Sequence, residues 1–409
     1  MIPTNRMSRV APSPTLRVSA EADRLRRQGV DVVDLGAGEP DFPTPEHIKA
    51  AARAAIDANF TKYTPSAGII ELRDAICLRY KEDYGVTFKP EQTIVTAGAK
   101  QALYNAAMAL FEEGDEVITH APYWPTLPEQ VKLAGATPVI VPTHAEDGFT
   151  IHAEPLIAAC TPRTKGIIIN SPCNPTGALI SEDALRTIAD AAALRGIWIV
   201  ADITYEKLIY DHDAHNLVRI LIERAGDRFV ICSAASKAYA MTGWRCGWAI
   251  APAKAISAFN AIQGHSTSNA ASITQKAAVA ALAGPQESVT MMLNEYRTRR
   301  DRVWEWLTAE AGFTCQRPRG AFYLFPYAVD ALEAAGLRTS AEFAEALLNE
   351  AHVAVTAGEG FDAPGFFRIS YATSLDRLRE GVTRIHEFVA RRSRPSDHGD
   401  AREHGVSAP

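Results

Sequence analysis

The sequence contains no apolar run close to the roughly 20 residues that a bilayer span requires, and its opening MIPTNRMSRVAPSPT has no apolar core of a secretory leader. Neither a membrane anchor nor export is expected, and the expected address is the cytoplasm. Cysteine is scarce, with six residues (Cys77, Cys160, Cys173, Cys232, Cys246 and Cys315) among 409 and no CxxC pair. That spacing excludes a zinc ribbon and a disulfide framework and leaves reduced, largely core thiols. No dense Lys/Arg block stands against the formal charge of −6, so nothing provides an electrostatic footprint for nucleic acid or an acidic membrane surface. Small molecules remain as partners. The nearest thing to a metal motif is DHDAH at 211 to 215, where His212 and His215 are three apart. Its acidic, polar composition after KLIY, read as a strand, fits a solvated loop, and no metal site is expected.

Core material is abundant. With 47% hydrophobic residues the chain can bury a large interior, and its length implies two domains. An amphipathic helix over LRVSAEADRLRRQG leads through VDVVD into the Pro/Gly-rich GAGEPDFPTP. The GAG there is no dinucleotide fingerprint, because Pro40 and Pro43 prevent a helix from starting behind it. From 46 to about 290, helices near 46 to 58, 69 to 82 and 100 to 111 alternate with the strands QTIVT, DEVITH, PVIVP, TKGIIIN, GIWIVAD and RFVICS, and Ser181 reads as the N-cap of a further helix. Short apolar strands between helices imply a mainly parallel sheet covered on both faces. A long helix near 286 to 311, then GAFYLFPYA, a helix near 339 to 350, VAVTAG and FFRISYA, describe a smaller α+β domain. The final RRSRPSDHGDAREHGVSAP is polar and aperiodic and reads as a disordered tail.

Ligands of such sheets bind beyond the carboxyl ends of the strands. Four strands, read as neighbours, end there on polar groups: Gly98 to Lys100, Asn174, Asp202 and Lys237. Lys237 in SAASKAYAMTGWRCGW has small, apolar company, which lowers a lysine's pKa and frees a neutral amine to condense with a carbonyl. A Schiff-base lysine of this kind commonly carries pyridoxal phosphate, and the chain offers what that cofactor needs. Asp202 can pair with the ring nitrogen. Tyr205 and Asn174 can donate to the ring's phenolic oxygen. The helix start at Gly98, Ala99 and Lys100 suits a phosphate, and Ser236 and Arg245 add a hydroxyl and a guanidinium fork.

Together GEPDFPTPEH (38–47), KYTPSAGIIELR (62–73), NPTG (174–177), DxxYE (202–206), SK (236–237), MTGWRCG (241–247) and FRISYATS (367–374) resemble the fold-type I, class I aminotransferases, most of all the bacterial aspartate aminotransferase branch, some of whose members take aromatic or prephenate-type substrates. The likeness runs over about residues 14 to 390. It implies a mainly parallel, seven-stranded-type sheet flanked by helices in a large cofactor domain (46–290), with a small domain built from 14–45 and 291–392 and a tail at 393–409. It also implies that Lys237 carries the cofactor as a Schiff base and shuttles a proton, that Trp124 stacks on the ring, and that Tyr63 of the other subunit of a homodimer joins the phosphate site. Arg368, with the Gly38 N–H and Asn174 beside it, would clamp the substrate's α-carboxylate, and Lys100 would reach the distal carboxylate of a dicarboxylic substrate.

Three features depart from the pattern. Ile203 follows Asp202 where an acidic residue is usual, Ala234 stands where some relatives have serine, and Gly264 and His265 replace a Ser-Gln pair. His265 is a candidate substrate contact or, equally, an interface histidine. The expected reaction is transfer of the amino group of aspartate or glutamate to a 2-oxo acid in two half-reactions. The rival keeps the cofactor but ends in elimination or replacement, decarboxylation, oxidation or cyclisation, since the same carbanion leads to each.

Overall fold

The C-terminal ends of three adjacent parallel strands are the platform on which everything else rests. In this computed structural model, which describes residues 4, 7–12, 14–210, 216–310 and 312–393, twelve strands form: β1 (Val33–Asp34), β2 (Thr93–Thr96), β3 (Glu116–Ala121), β4 (Thr137–Pro142), β5 (Thr164–Asn170), β6 (Trp198–Asp202), β7 (Phe229–Ala234), β8 (Gly247–Ile250), β9 (Tyr323–Leu324), β10 (Val353–Ala354), β11 (Thr356–Ala357) and β12 (Phe367–Ser370). The DHDAH cluster and the polar C-terminal stretch lie outside the described residues, apart from Arg391, Arg392 and Ser393.

Seven strands make one sheet in the order β2-β8-β7-β6-β5-β3-β4. Pairing is parallel from β7 to β4, and β8 runs antiparallel to both β7 and β2. The mainly parallel, helix-flanked sheet expected from the alternating pattern is therefore present. Its two faces divide each strand by the pleat: Ile167, Ile169, Ile199, Ala201, Phe229 and Ile231 enter one core, while Ile168, Val200, Val230 and Cys232 enter the opposite one. Both faces being covered explains why these strands read as unbroken apolar runs rather than as alternation.

Two expectations are corrected. The strands bearing the polar groups are not all neighbours: β5, β6 and β7 are, but β2 is an edge strand separated from β7 by β8. KLIY is not a strand; Lys207 ends a turn and Ile209 makes one isolated bridge to Gly320. Ser181 does cap the helix Glu182–Arg195, its hydroxyl accepting the Ala184 N–H.

A separate aromatic core containing Tyr296, Phe322, Tyr323, Phe343, Phe367 and Phe388 gathers the long helix Glu287–Thr308, the helix Leu375–Arg392 and the small antiparallel sheet β11-β12-β9. The N-terminal segment joins it, as β1 pairs with β10 and Val33 and Leu35 enter the same core. Among the described residues no helix is long and apolar enough to cross a membrane.

Candidate active site

A cavity of about 460 Å³ opens where the sheet's strand ends meet the aromatic core. Its wall includes Gly38, Ala99, Lys100, Trp124, Asn174, Asp202, Tyr205, Ser236, Lys237, Arg245 and Arg368. Of the site residues expected from sequence, Gly98 sits immediately behind this wall, while Tyr63 and His265 are not part of it. Tyr63 is 89% exposed, and His265 is exposed near the end of the helix Ala253–Ser266.

Lys237 lies on the single-turn helix Ala235–Ala238 that follows β7. Its amine donates to the Gly38 carbonyl and stands 5.8 and 5.7 Å from the ring centres of Tyr205 and Phe322. Burial, followed by the positive charge of Arg368, lowers its pKa to about 8, and the negative charges of Glu39 and Asp202 oppose that shift. An amine in this state is neutral over much of the range in which an ordinary lysine is charged.

Asp202 closes β6 and is buried. Both hydrogen bonds that its carboxylate accepts among the described residues end on Oδ1, from the Thr204 N–H at 3.1 Å and the Thr204 hydroxyl at 2.6 Å. Burial raises its pKa, with the Thr204 donors pulling the other way. A buried carboxylate with no ion pair among the described residues calls for a cationic or protonated group from outside the chain.

Asn170 holds the next strand end in place: its Oδ1 accepts the Asn174 N–H at 2.8 Å and its Nδ2 donates to the Asp202 carbonyl at 3.2 Å. Asn174 Oδ1 in turn accepts from Arg368 Nη1 at 2.8 Å. Arg368, on β12, is 2% exposed. Its Nη2 donates to the Gly36 carbonyl at 2.8 Å, its Nε has no partner, and no carboxylate pairs with it among the described residues. Below it lies the Tyr323 ring, 4.2 Å from centre to guanidinium carbon. A buried guanidinium with an unused donor beside a cavity is a receptor for a carboxylate.

At the opposite side, Gly98 (φ +86°) starts the helix Ala99–Leu110. A β-carbon at Gly98 would fall 2.5 Å from Arg245 Nη2, and one at Gly247 would fall 2.5 Å from the Ala99 nitrogen. Two glycines thus bring the helix start and the guanidinium together, forming an anion cradle with the Ser236 hydroxyl on the same wall. Arg245 is held by its own bonds to the Thr242 and Ala97 carbonyls, at 2.9 and 3.1 Å. Lys100 is exposed by area, yet its amine lies 5.0 Å from the Trp124 ring centre. Burial there and the nearby Arg245 charge lower its pKa.

A neutralisable amine, an anion cradle, and a buried carboxylate and guanidinium that have no ion pair among the described residues together fit pyridoxal phosphate plus an amino acid. Sequence reasoning missed Thr204, Asn170, Glu39 and Tyr323, all of which line the cavity. Thr204 had a signal, since Asp-x-Thr is a local side-chain-to-backbone turn pattern. Glu39 stands inside the quoted GEPDF motif and accepts a 2.8 Å bond from the Thr242 hydroxyl.

The model of the family "Aminotransferase class I and II" matches residues 30–385. An aspartate aminotransferase of Geobacillus stearothermophilus is 46% identical over 388 residues, covering 95% of this chain and 99% of the relative. An aspartate/prephenate aminotransferase of Cereibacter sphaeroides is 45% identical over 390 residues, covering 94% and 98%. Among solved structures, aspartate aminotransferase from Thermus thermophilus with maleate superimposes with a TM-score of 0.89 at 41% identity, covering 95% of this chain and all of that one. With this match, these identities and that superposition, the chain belongs to the class I and II aminotransferases, enzymes that work with pyridoxal phosphate.

Proposed function

We propose that this aminotransferase takes the amino group of a dicarboxylic amino acid, aspartate or glutamate, and delivers it to a 2-oxo acid. The observation that carries the reading is the buried guanidinium of Arg368, which pairs with no carboxylate among the described residues and faces the same cavity as the Lys237 amine. The names of the relatives favour transfer over the rival outcomes of elimination, decarboxylation, oxidation or cyclisation.

Pyridoxal phosphate, when bound, supplies a carbonyl that condenses with amines and a ring that withdraws electrons from the substrate's α-carbon. Gly98, Ala99, Lys100, Ser236 and Arg245 would hold its phosphate, Asp202 would keep its ring nitrogen protonated, Tyr205 and Asn174 would donate to its phenolic oxygen, and Trp124 would stack on its ring. Arg368, with the Gly38 N–H and Asn174, fixes the α-carboxylate and so orients the α-hydrogen. Lys237 Nζ, neutral above about pH 8, takes that proton from the α-carbon and later returns one. The aromatic rings of Tyr205 and Phe322 stand 5.8 and 5.7 Å from the amine and give it apolar company.

Lys100 receives the distal carboxylate. Lys100→Ala is expected to raise KM for aspartate by about tenfold or more, the cost of one charge-assisted hydrogen bond, while leaving an aromatic amino acid within about twofold. Equal losses for both substrates in steady-state kinetics would overturn this assignment.

The reading includes a cytoplasmic homodimer and a division into a large domain (46–290) and a small domain (14–45 with 291–392). The dimer is supported by the exposure of Tyr63 and by an open groove of about 680 Å³ beside Arg245, lined by Ala97, Trp244 and Asn269. In it Tyr63 reaches the phosphate site of the other subunit. His265, outside the cavity of its own chain, stands as a candidate either for the subunit interface or, across it, for the substrate in the other subunit.

A further inference from the structure

Tyr323 touches both halves of the cavity, reaching Tyr205 with its hydroxyl and Arg368 with its ring. It lies on β9, buried to 1% exposure. Its hydroxyl is 2.6 Å from the Tyr205 hydroxyl, and either oxygen could donate. Its ring meets that of Tyr205 edge-on at 5.8 Å and carries the Arg368 guanidinium on its face at 4.2 Å. A β-carbon at residue 38 would approach the Tyr323 hydroxyl to 3.1 Å, so Gly38 leaves that hydroxyl its room.

Proton counting decides the direction of the bond. A phenol carries one hydrogen. If Tyr205 directs its own at the cofactor's phenolic oxygen, the short contact behind it can be closed only by the hydrogen of Tyr323. Among the described residues the Tyr323 hydroxyl has no other hydrogen-bond partner.

We propose that Tyr323 is a positioning residue: its hydroxyl donates to Tyr205 and so commits Tyr205 to donate into the cavity, while its ring holds Arg368 in place for the substrate carboxylate. This inference rests on the cofactor assignment above. Donors aimed at the cofactor's ring oxygen stabilise negative charge there, and with it the form of the bound cofactor that has lost a proton. Weakening the chain therefore moves the pH at which the cofactor's visible band converts to a higher value.

The test is absorbance against pH on the cofactor-loaded protein. Tyr323→Phe keeps the ring and loses the hydroxyl, and its midpoint is expected about half a pH unit or more above wild type. Tyr205→Phe should move it further, and the double variant should coincide with Tyr205→Phe, because the relay acts only through that residue. Binding of succinate, read from the same band, should change less than about threefold in Tyr323→Phe but weaken about tenfold in Tyr323→Leu, which loses the face under the guanidinium. An unchanged midpoint in Tyr323→Phe, additive shifts in the double variant, or undiminished succinate binding in Tyr323→Leu overturns the proposal. A wild-type protein with no visible band at all overturns the cofactor reading and this inference with it, and is told apart from failure of the relay, where the band is present and titrates unchanged.

Discussion

The Lys237 amine is prepared by its surroundings rather than by one partner. Apolar rings and the Arg368 charge disfavour its protonated form, and Asp202 and Glu39 only partly offset them. Because the pKa is lowered, the neutral amine is reached earlier as pH rises. Capture of pyridoxal phosphate by cofactor-free protein is therefore expected to accelerate up to about pH 8 and then level off, whereas an ordinary lysine would keep gaining to about pH 10. Stopped-flow absorbance measures this, and a rate still climbing steeply at pH 9.5, an order-of-magnitude excess over the plateau, would contradict the assignment. This environment was partly legible in the sequence, where small residues flank Lys237. The aromatic wall was not, because Phe322 and Tyr323, at the turn into β9 and its first residue, are distant in sequence and look like ordinary core residues in GAFYLFPYA.

Strand ends and helix starts carry the site at the next scale. Lys237, Asp202 and Asn174 could be located without a structure because each follows an apolar run at the point where a parallel strand must end. Strand direction and order are not encoded in such runs, so the antiparallel β8 and the edge position of β2 became visible only in the fold. Their consequence is local: β8 lies between the β2 turn and β7, and Gly247 at its start leaves space for the Ala99 nitrogen. Gly98 meets a double demand, a left-handed φ of +86° and contact with Arg245. Gly98→Ala is expected to weaken cofactor binding about tenfold or more through backbone strain and displacement of that guanidinium. Equilibrium release followed by absorbance tests it, and an unchanged dissociation constant would show that the cradle does not hold the phosphate.

For the whole molecule, the chain's own cavity lacks Tyr63, which stands 89% exposed. If Tyr63 serves the other subunit, mixing Lys237→Ala with Tyr63→Ala protein should build one intact site in each hybrid dimer. Random exchange would recover about a quarter of wild-type activity per subunit, since about half the dimers are hybrids with one good site of two. Recovery absent despite demonstrated subunit exchange would show that Tyr63 does not serve the other subunit's site. The whole assembly then serves one claim, that an amino group is stored on the protein between two substrates. The measurement that addresses this most directly is a single half-reaction: aspartate or glutamate is added to cofactor-loaded protein with no acceptor, and products are quantified. About one equivalent of 2-oxo acid per subunit is expected, with the nitrogen retained and further turnover only after a 2-oxo acid is supplied. Release of ammonia or carbon dioxide, or no 2-oxo acid from either amino acid, would contradict it.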